Sequence, residues 1–335
     1  MNYTTRVALY KKIEASQSSK VLLLCHGDRP GLETQFSPDQ INLFVSLLDK
    51  IGPTQKISLV LTTNGGATSA AWRLVNLIRT FCEELEIIIP LRALSAGTLV
   101  CLGADKLIMS KQAALGPIDP SLRHPLGPSM PQSPEIKVPV SVEAVQGYLD
   151  VAMNTLKVSN SADLATVLAS LSNHVHPLVL GEIYRSRAQI RFLADKLVRN
   201  QVTDPEQIRK IIDFLCADSG SHDYTINRRE AESHGLKAVK PSHDLYTTMW
   251  QIHESYSEEM KLLEPYSPDA ILGGQPSAAY SHTRALVEST DGGSYAFLSE
   301  GTLSKATMQV PGPFGLTNQD IITESKTFEG WRKVA

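Results

Sequence analysis

TTNGGATSAAWRLVNLIRTF, residues 62–81, followed by IIIPLRALSAGTLVCLGADKLIMSKQAALGPIDP, residues 87–120, decides how this chain folds. The two segments use one device twice: a short apolar strand that breaks at small residues and runs into a helix. Ile57 to Leu61 (ISLVL) has the length and composition of a buried strand. It stops at Thr62-Thr63-Asn64-Gly65-Gly66, where paired glycines open backbone angles closed to other residues. Ala67 to Phe81 then carries Ala71, Leu74, Val75 and Ile78 at helical spacing. In the second copy the strand is Glu86 to Pro90, a loop runs to Leu94, and Ser95-Ala96-Gly97 opens a helix through Val100 and Leu102.

Two such turns side by side in a parallel sheet aim their loose backbone N–H groups at one spot. The start of a helix leaves its first N–H groups unpaired and carries partial positive charge. Such a spot stabilises a developing oxyanion, and the best donors are the amides of Gly66 and Ala96, with Gly65 completing the turn. Ser95 is then the natural nucleophile, because small neighbours let a substrate carbonyl reach it.

The pairing of TNGG with LSAGT, followed by GADKLIMSKQAALGPIDP, resembles the serine dehydrogenase proteinase family. That family is related to the Clp protease proteolytic subunit, signal peptide peptidase A and the crotonase superfamily. Likeness to Clp-type enzymes puts a glycine pair at Gly65-Gly66 and the nucleophilic serine at Ser95. It continues through HPLVLGEIYRSRAQIRFLADKL (His176 to Leu197) and SHDYTINRREAESHGL (Ser221 to Leu236). The fold it implies is α/β and Clp/crotonase-like, a parallel sheet flanked by helices. The activity it implies is hydrolysis of peptide bonds in a peptide or protein substrate, by a homo-oligomer of two or more copies.

The resemblance leaves the general base open. No histidine stands in the Clp slot after the serine, where this chain has Ile118-Asp119. Signal peptide peptidase A uses a lysine, and Lys137 lies in the region where one such lysine falls. His222-Asp223 sits near the stretch that supplies the Clp acid, and a histidine needs little tuning to act near neutrality. His176, before Pro177, is a third candidate or a capping residue at a helix start. The ranking is His222, Lys137, His176, with Asp119 orienting the base or shaping the pocket. Two rival functions stay open: a Clp-like peptide-binding or scaffold protein that has lost catalysis, and a crotonase-like acyl-thioester enzyme.

Composition excludes other classes. With 335 residues, 42% hydrophobic and 20% charged, the chain reads as a globular protein with a substantial core. A net charge of -3 gives no electrostatic reason to expect nucleic acid or an anionic membrane. No apolar run approaches the roughly 20 residues that span a bilayer, and the start of the chain lacks a secretory core, so a cytoplasmic location is expected. Cys25, Cys82, Cys101 and Cys216 lack metal-site spacing and read mostly as buried thiols. No GxGxxG, P-loop, HExxH or CxxC occurs, so neither cofactor nor metal is expected.

Along the rest of the chain, Val21 to Cys25 is a buried strand, and His26 and Asp28 after it read as ordinary loop polarity. Ser37-Pro38 starts a helix that Gly52-Pro53 stops. Arg123 to Pro139 reads as a long flexible loop, a substrate lid or a surface insertion. Arg185, Arg187 and Arg191 mark a solvated or salt-bridged face of a long helix, with a basic groove as the alternative. Thr290-Asp291-Gly292-Gly293 signals a hairpin. The expected division is a Clp/crotonase-like peptidase domain over residues 1–263 and a small β-rich C-terminal appendage over 264–335.

Overall fold

The computed structural model describes residues 2–118, 121–122, 124–130, 132–218, 223–312 and 315–335. Helix α1 (Tyr3–Gln17) leads into β1 (Lys20–His26), then α2 (Ile41–Ile51), β2 (Thr54–Thr62), α3 (Thr68–Arg79) and β3 (Cys82–Ile89). After β4 (Arg92–Ala93) come α4 (Ala96–Leu102), β5 (Lys106–Met109) and β6 (Ala114–Leu115). Four short strands follow: β7 (Ser121–Leu122), β8 (Ser129–Met130), β9 (Ser133–Lys137) and β10 (Val140–Ser141). Then come α5 (Val142–Asp150), α6 (Ser161–Ser172), α7 (Pro177–Val198), α8 (Pro205–Asp213), β11 (Ile226–Asn227), α9 (Arg228–Ser233) and β12 (Ala238–Val239). The chain ends with α10 (His243–Met260), α11 (Pro268–Leu272), β13 (Ser277–Ser289), β14 (Gly293–Gly312) and β15 (Gly315–Lys333).

Eight strands form the central sheet in the order β12-β5-β3-β2-β1-β13-β14-β15. The first five run parallel, as alternating strands and helices predict. Both faces are covered, which is why Val21 to Cys25 of β1 is a continuous apolar run rather than an alternating one. Leu22 and Leu24 pack into the core formed with α2, α3, α4, α7 and α8, whereas Val21, Leu23 and Cys25 pack against α1 and α10. Gly52, at φ 70°, ends α2, but the Ser37 side chain makes no capping bond to the turn that opens it. All four cysteines are free and buried.

The β-rich C-terminal segment is present, and it is continuous with the central sheet. β13 pairs antiparallel with β1 from Leu22↔Ser289 to His26↔Ala285. A fully buried ion pair fastens this joint, with Arg6 Nη2 2.6 Å from Glu288 Oε1. Tyr10 and Ser294 also donate to Glu288, so the buried carboxylate is well hydrogen-bonded.

The long loop expected over Arg123 to Pro139 folds back on itself. β8 and β9 pair antiparallel, and β7 pairs with β10 at the base. Its proline and serine content conceals these short pairing runs, because a proline is tolerated in a ribbon wherever its missing N–H is not needed. Two of the three arginines expected on a salt-bridged helix face are paired, Arg187 with Glu143 and Arg191 with Asp213.

Candidate active site

The two strand-to-helix turns meet at the carboxyl edge of the parallel sheet. β4 runs beside the first turn: Leu94 N–H donates to Thr63 O at 3.0 Å, and Thr63 N–H donates to Arg92 O at 3.1 Å. This pairing carries Ser95 against Gly65. A side chain on Gly65 would place its Cβ 2.8 Å from Ser95 Cβ and 3.3 Å from Ala96 N. On the other side of the turn, Phe36 N–H donates to Gly65 O at 2.8 Å and Ala67 N–H donates to Phe36 O at 3.0 Å. The glycine pair is thus sandwiched between the Phe36 backbone and Ser95, at φ 112° for Gly65 and 130° for Gly66.

Accounting for the amides identifies the free donors. Gly65 N–H is already committed to Thr63 Oγ1 at 3.0 Å. Gly66 N–H and Ala96 N–H have no acceptor among the described residues. A trans peptide points its C=O and N–H in opposite directions. Because Gly65 O faces Phe36, the Gly66 N–H of the same peptide points away from Phe36.

Ser95 stands at the start of α4 with φ 51° and ψ −113°. A non-glycine residue in such a region costs about 1–3 kcal/mol and persists only where its surroundings enforce it. The sharp strand-turn-helix bend leaves the side chain without a capping bond to the helix, and bends of this kind are used to present a nucleophilic serine. Ser95 is partly exposed, does not cap the helix with its side chain, and its hydroxyl has no hydrogen-bond partner among the described residues. Thr98 of the LSAGT segment locks the adjoining wall. Its Oγ1 lies 2.9 Å from Ala93 O and 2.7 Å from Gly116 O, and accepts the Gly116 N–H at 3.1 Å.

Ser95 opens on a cavity of ≈ 240 Å³ lined by Asn64, Leu94, Gly116, Pro117 and the segment Asp223-Tyr224-Thr225. That segment reaches the site because β11 pairs antiparallel with β6, which runs beside β4. Asn64 is held from outside the cavity, its Oδ1 accepting from Arg92 Nε at 2.6 Å, while Arg92 pairs with the Asp28 carboxylate.

The candidate bases are distributed unevenly. Asp119 and His222 lie outside the described residues. Lys137 donates to Ser129 Oγ at 2.8 Å within the β8–β9 ribbon and is not among the described residues that line the cavity. His176 caps α7, its Nδ1 accepting from Leu178 N–H at 3.2 Å, which is the capping role weighed for it.

His26 and Asp28 are more than loop polarity. His26 is 2% exposed, with Nδ1 2.8 Å from Thr63 Oγ1 and Nε2 3.0 Å from Gln40 Nε2. Burial pushes its pKa down to about 4, so the ring is neutral near neutrality. Sequence reasoning missed this because Thr63 and Gln40 approach only in the fold. The available signal was a histidine directly after the apolar run Val21 to Cys25.

Parallel sheet, glycine turn and strained serine turn together define a Clp-like α/β protein. Residues 47–167 accordingly match the family described as ClpP-like SDH-type serine proteinase, which bears out the resemblance drawn from the motifs. Among curated proteins, the chain is similar to two uncharacterized proteins of Methanocaldococcus jannaschii. One is 28% identical over 195 residues, covering 58% of this chain and 57% of the relative. The other is 27% identical over 126 residues, covering 35% of this chain and 42% of the relative. The chain therefore spans little more than half the length of the first relative and less than half of the second. Among the described residues, no helix is long and apolar enough to cross a membrane.

Proposed function

We propose that this chain is a serine peptidase. One observation carries the reading: a strained serine stands beside the amides of Gly66 and Ala96, and neither its hydroxyl nor those two N–H groups has a partner among the described residues. Ser95 Oγ attacks the scissile carbonyl carbon, and the electron pair displaced onto oxygen is held by the two N–H groups. The hydroxyl proton passes to the base and then to the leaving amine, giving an acyl-enzyme that water hydrolyses. Gly65 contributes shape rather than a donor, since its N–H is committed to Thr63.

His222 is the base we favour, because the three residues that follow it line the cavity. An imidazole is suited to proton transfer near neutrality. Asp119 is assigned to orienting it. Lys137 is the second choice, its ammonium held by Ser129. Likeness to the family supports a homo-oligomer of two or more copies acting on peptide or protein substrates, and the sequence reading adds a cytoplasmic location to the proposal.

Ser95→Ala tests the proposal. It should abolish peptide hydrolysis and labelling by a serine-reactive fluorophosphonate while the protein stays folded. Labelling that persists in the variant removes Ser95 from the role. A second reading, a peptide-binding protein without turnover, is favoured by one fact: no described base contacts the Ser95 hydroxyl. It predicts that the wild-type protein binds extended peptides, resists labelling and cleaves nothing in a peptide library.

A further inference from the structure

We infer that His26 is a positioning residue for the proposed oxyanion hole, fixing the turn that bares the Gly66 amide. The inference rests on the peptidase reading above and adds a residue to it. The direction of each hydrogen bond follows from chemistry alone. Gln40 Nε2 lies 2.8 Å from the Gln35 carbonyl, which can only accept, so the amide nitrogen is on that side. Its second hydrogen points to His26 Nε2 at 3.0 Å, so Nε2 carries a lone pair. The His26 proton is therefore on Nδ1 and is donated to Thr63 Oγ1 at 2.8 Å.

Thr63 Oγ1 also accepts the Gly65 N–H at 3.0 Å. Two donors converge on one hydroxyl oxygen, which fixes the Thr63 rotamer and with it the entry of the chain into the glycine turn. His26 supports the turn from its other side too. Its ring packs edge-on against Phe36 with centroids 5.1 Å apart, and Phe36 N–H holds Gly65 O. Gly65 is thereby gripped at its N–H through Thr63 and at its C=O through Phe36. The Gly66 N–H, rigidly tied to that C=O, is aimed by these two grips. Gln40 gives up both its hydrogens to this arrangement while its own Oε1 is buried without a partner among the described residues.

The test compares fluorophosphonate labelling rates and peptide kinetics for wild type, His26→Ala and His26→Asn. Asparagine places an amide nitrogen close to where Nδ1 stood, so it can still donate to Thr63. Displacing a catalytic group by about 1 Å costs up to roughly 100-fold. His26→Ala should thus label at least about tenfold more slowly, with kcat reduced and KM unchanged, and His26→Asn should recover most of the rate. A folded His26→Ala that labels at the wild-type rate overturns the inference, as does His26→Asn being as slow as the alanine variant. Should His26→Ala not fold, long-range proton–nitrogen NMR of the wild type decides: a fixed Nδ1–H tautomer between about pH 5 and pH 8 supports the assignment. An Nε2–H tautomer overturns it. Wild type that does not label at all overturns the peptidase reading, and this inference with it; wild type that labels isolates the question to His26.

Discussion

The two turns at the centre of the molecule reach the left-handed half of backbone space by different residues. In the first, Gly65 and Gly66 adopt φ 112° and 130°, and neighbours forbid anything larger, since a Cβ on Gly66 would lie 2.5 Å from Phe36 N. In the second, Ser95 adopts φ 51° with a full side chain, although glycine would meet the backbone demand with less strain. Crowding dictates the residue at the first turn. At the second, a serine stands where glycine would fit with less strain, which under the peptidase proposal is the pattern expected where chemistry rather than packing selects a residue.

The contrast is sharpest in activity. Removing the Ser95 hydroxyl should lower peptide turnover on the order of 10⁶-fold, measured in single-turnover assays, with little loss of stability. Retained turnover would make both turns merely architectural. Gly66→Ala should act on both quantities, costing roughly 3 kcal/mol by strain and clash with the Phe36 backbone. It should also slow fluorophosphonate labelling roughly 100-fold by displacing one amide donor. Denaturant unfolding and labelling rates check this, and a neutral alanine there would erase the difference between the turns.

The first turn should also show a pH signature. His26 has its pKa lowered from 6.5 to about 4 in the folded chain. Between those values the unfolded chain binds a proton that the native chain refuses, so stability rises with pH across this window. The contribution is complete above about pH 6.5 and is lost as pH falls through about 4, with a magnitude of about 3 kcal/mol. Unfolding free energies of wild type and His26→Asn at about pH 4.5, inside this window, and about pH 7, above it, should differ in slope; parallel profiles would break the link. The smallest effect isolates the strain at the second turn. Ser95→Gly should be more stable than Ser95→Ala by about 1 kcal/mol, a shift of a few degrees in Tm. Equal stability would mean that φ 51° costs nothing here.

The sequence makes local things visible. The buried strands around Val21–Cys25 and Ile57–Leu61, the helix that ends at Gly52, and the turn between β13 and β14 each carry their own signals and form where expected. The Ser95 and glycine turns were legible because small residues at strand ends have few structural alternatives. Partnerships across the chain were not legible. Nothing in Ser277–Ser289 announces that it pairs with β1, because strand composition does not name its neighbour. The role of His26 depends on Gln40 and Thr63, 14 and 37 residues away. The base stayed open for the same reason: the cavity beside Ser95 is lined by Asp223-Tyr224-Thr225, a segment distant in sequence that the β6–β11 pairing brings there.

The strands β14 and β15 outrun the sheet they belong to. β13 accompanies β14 only from Gly293 to Ser304, after which Ala306↔Ile321 through Gln309↔Asn318 pair with each other alone. Thr307, Met308, Gln309, Asn318 and Gln319 are exposed there, so no apolar layer among the described residues backs this part of the ribbon. Two strands without such backing are marginally stable in water. Deuterium should therefore enter the amides of this outer ribbon long before those of β13 and the inner half of β14, so that one continuous strand contains both fast and slow exchangers.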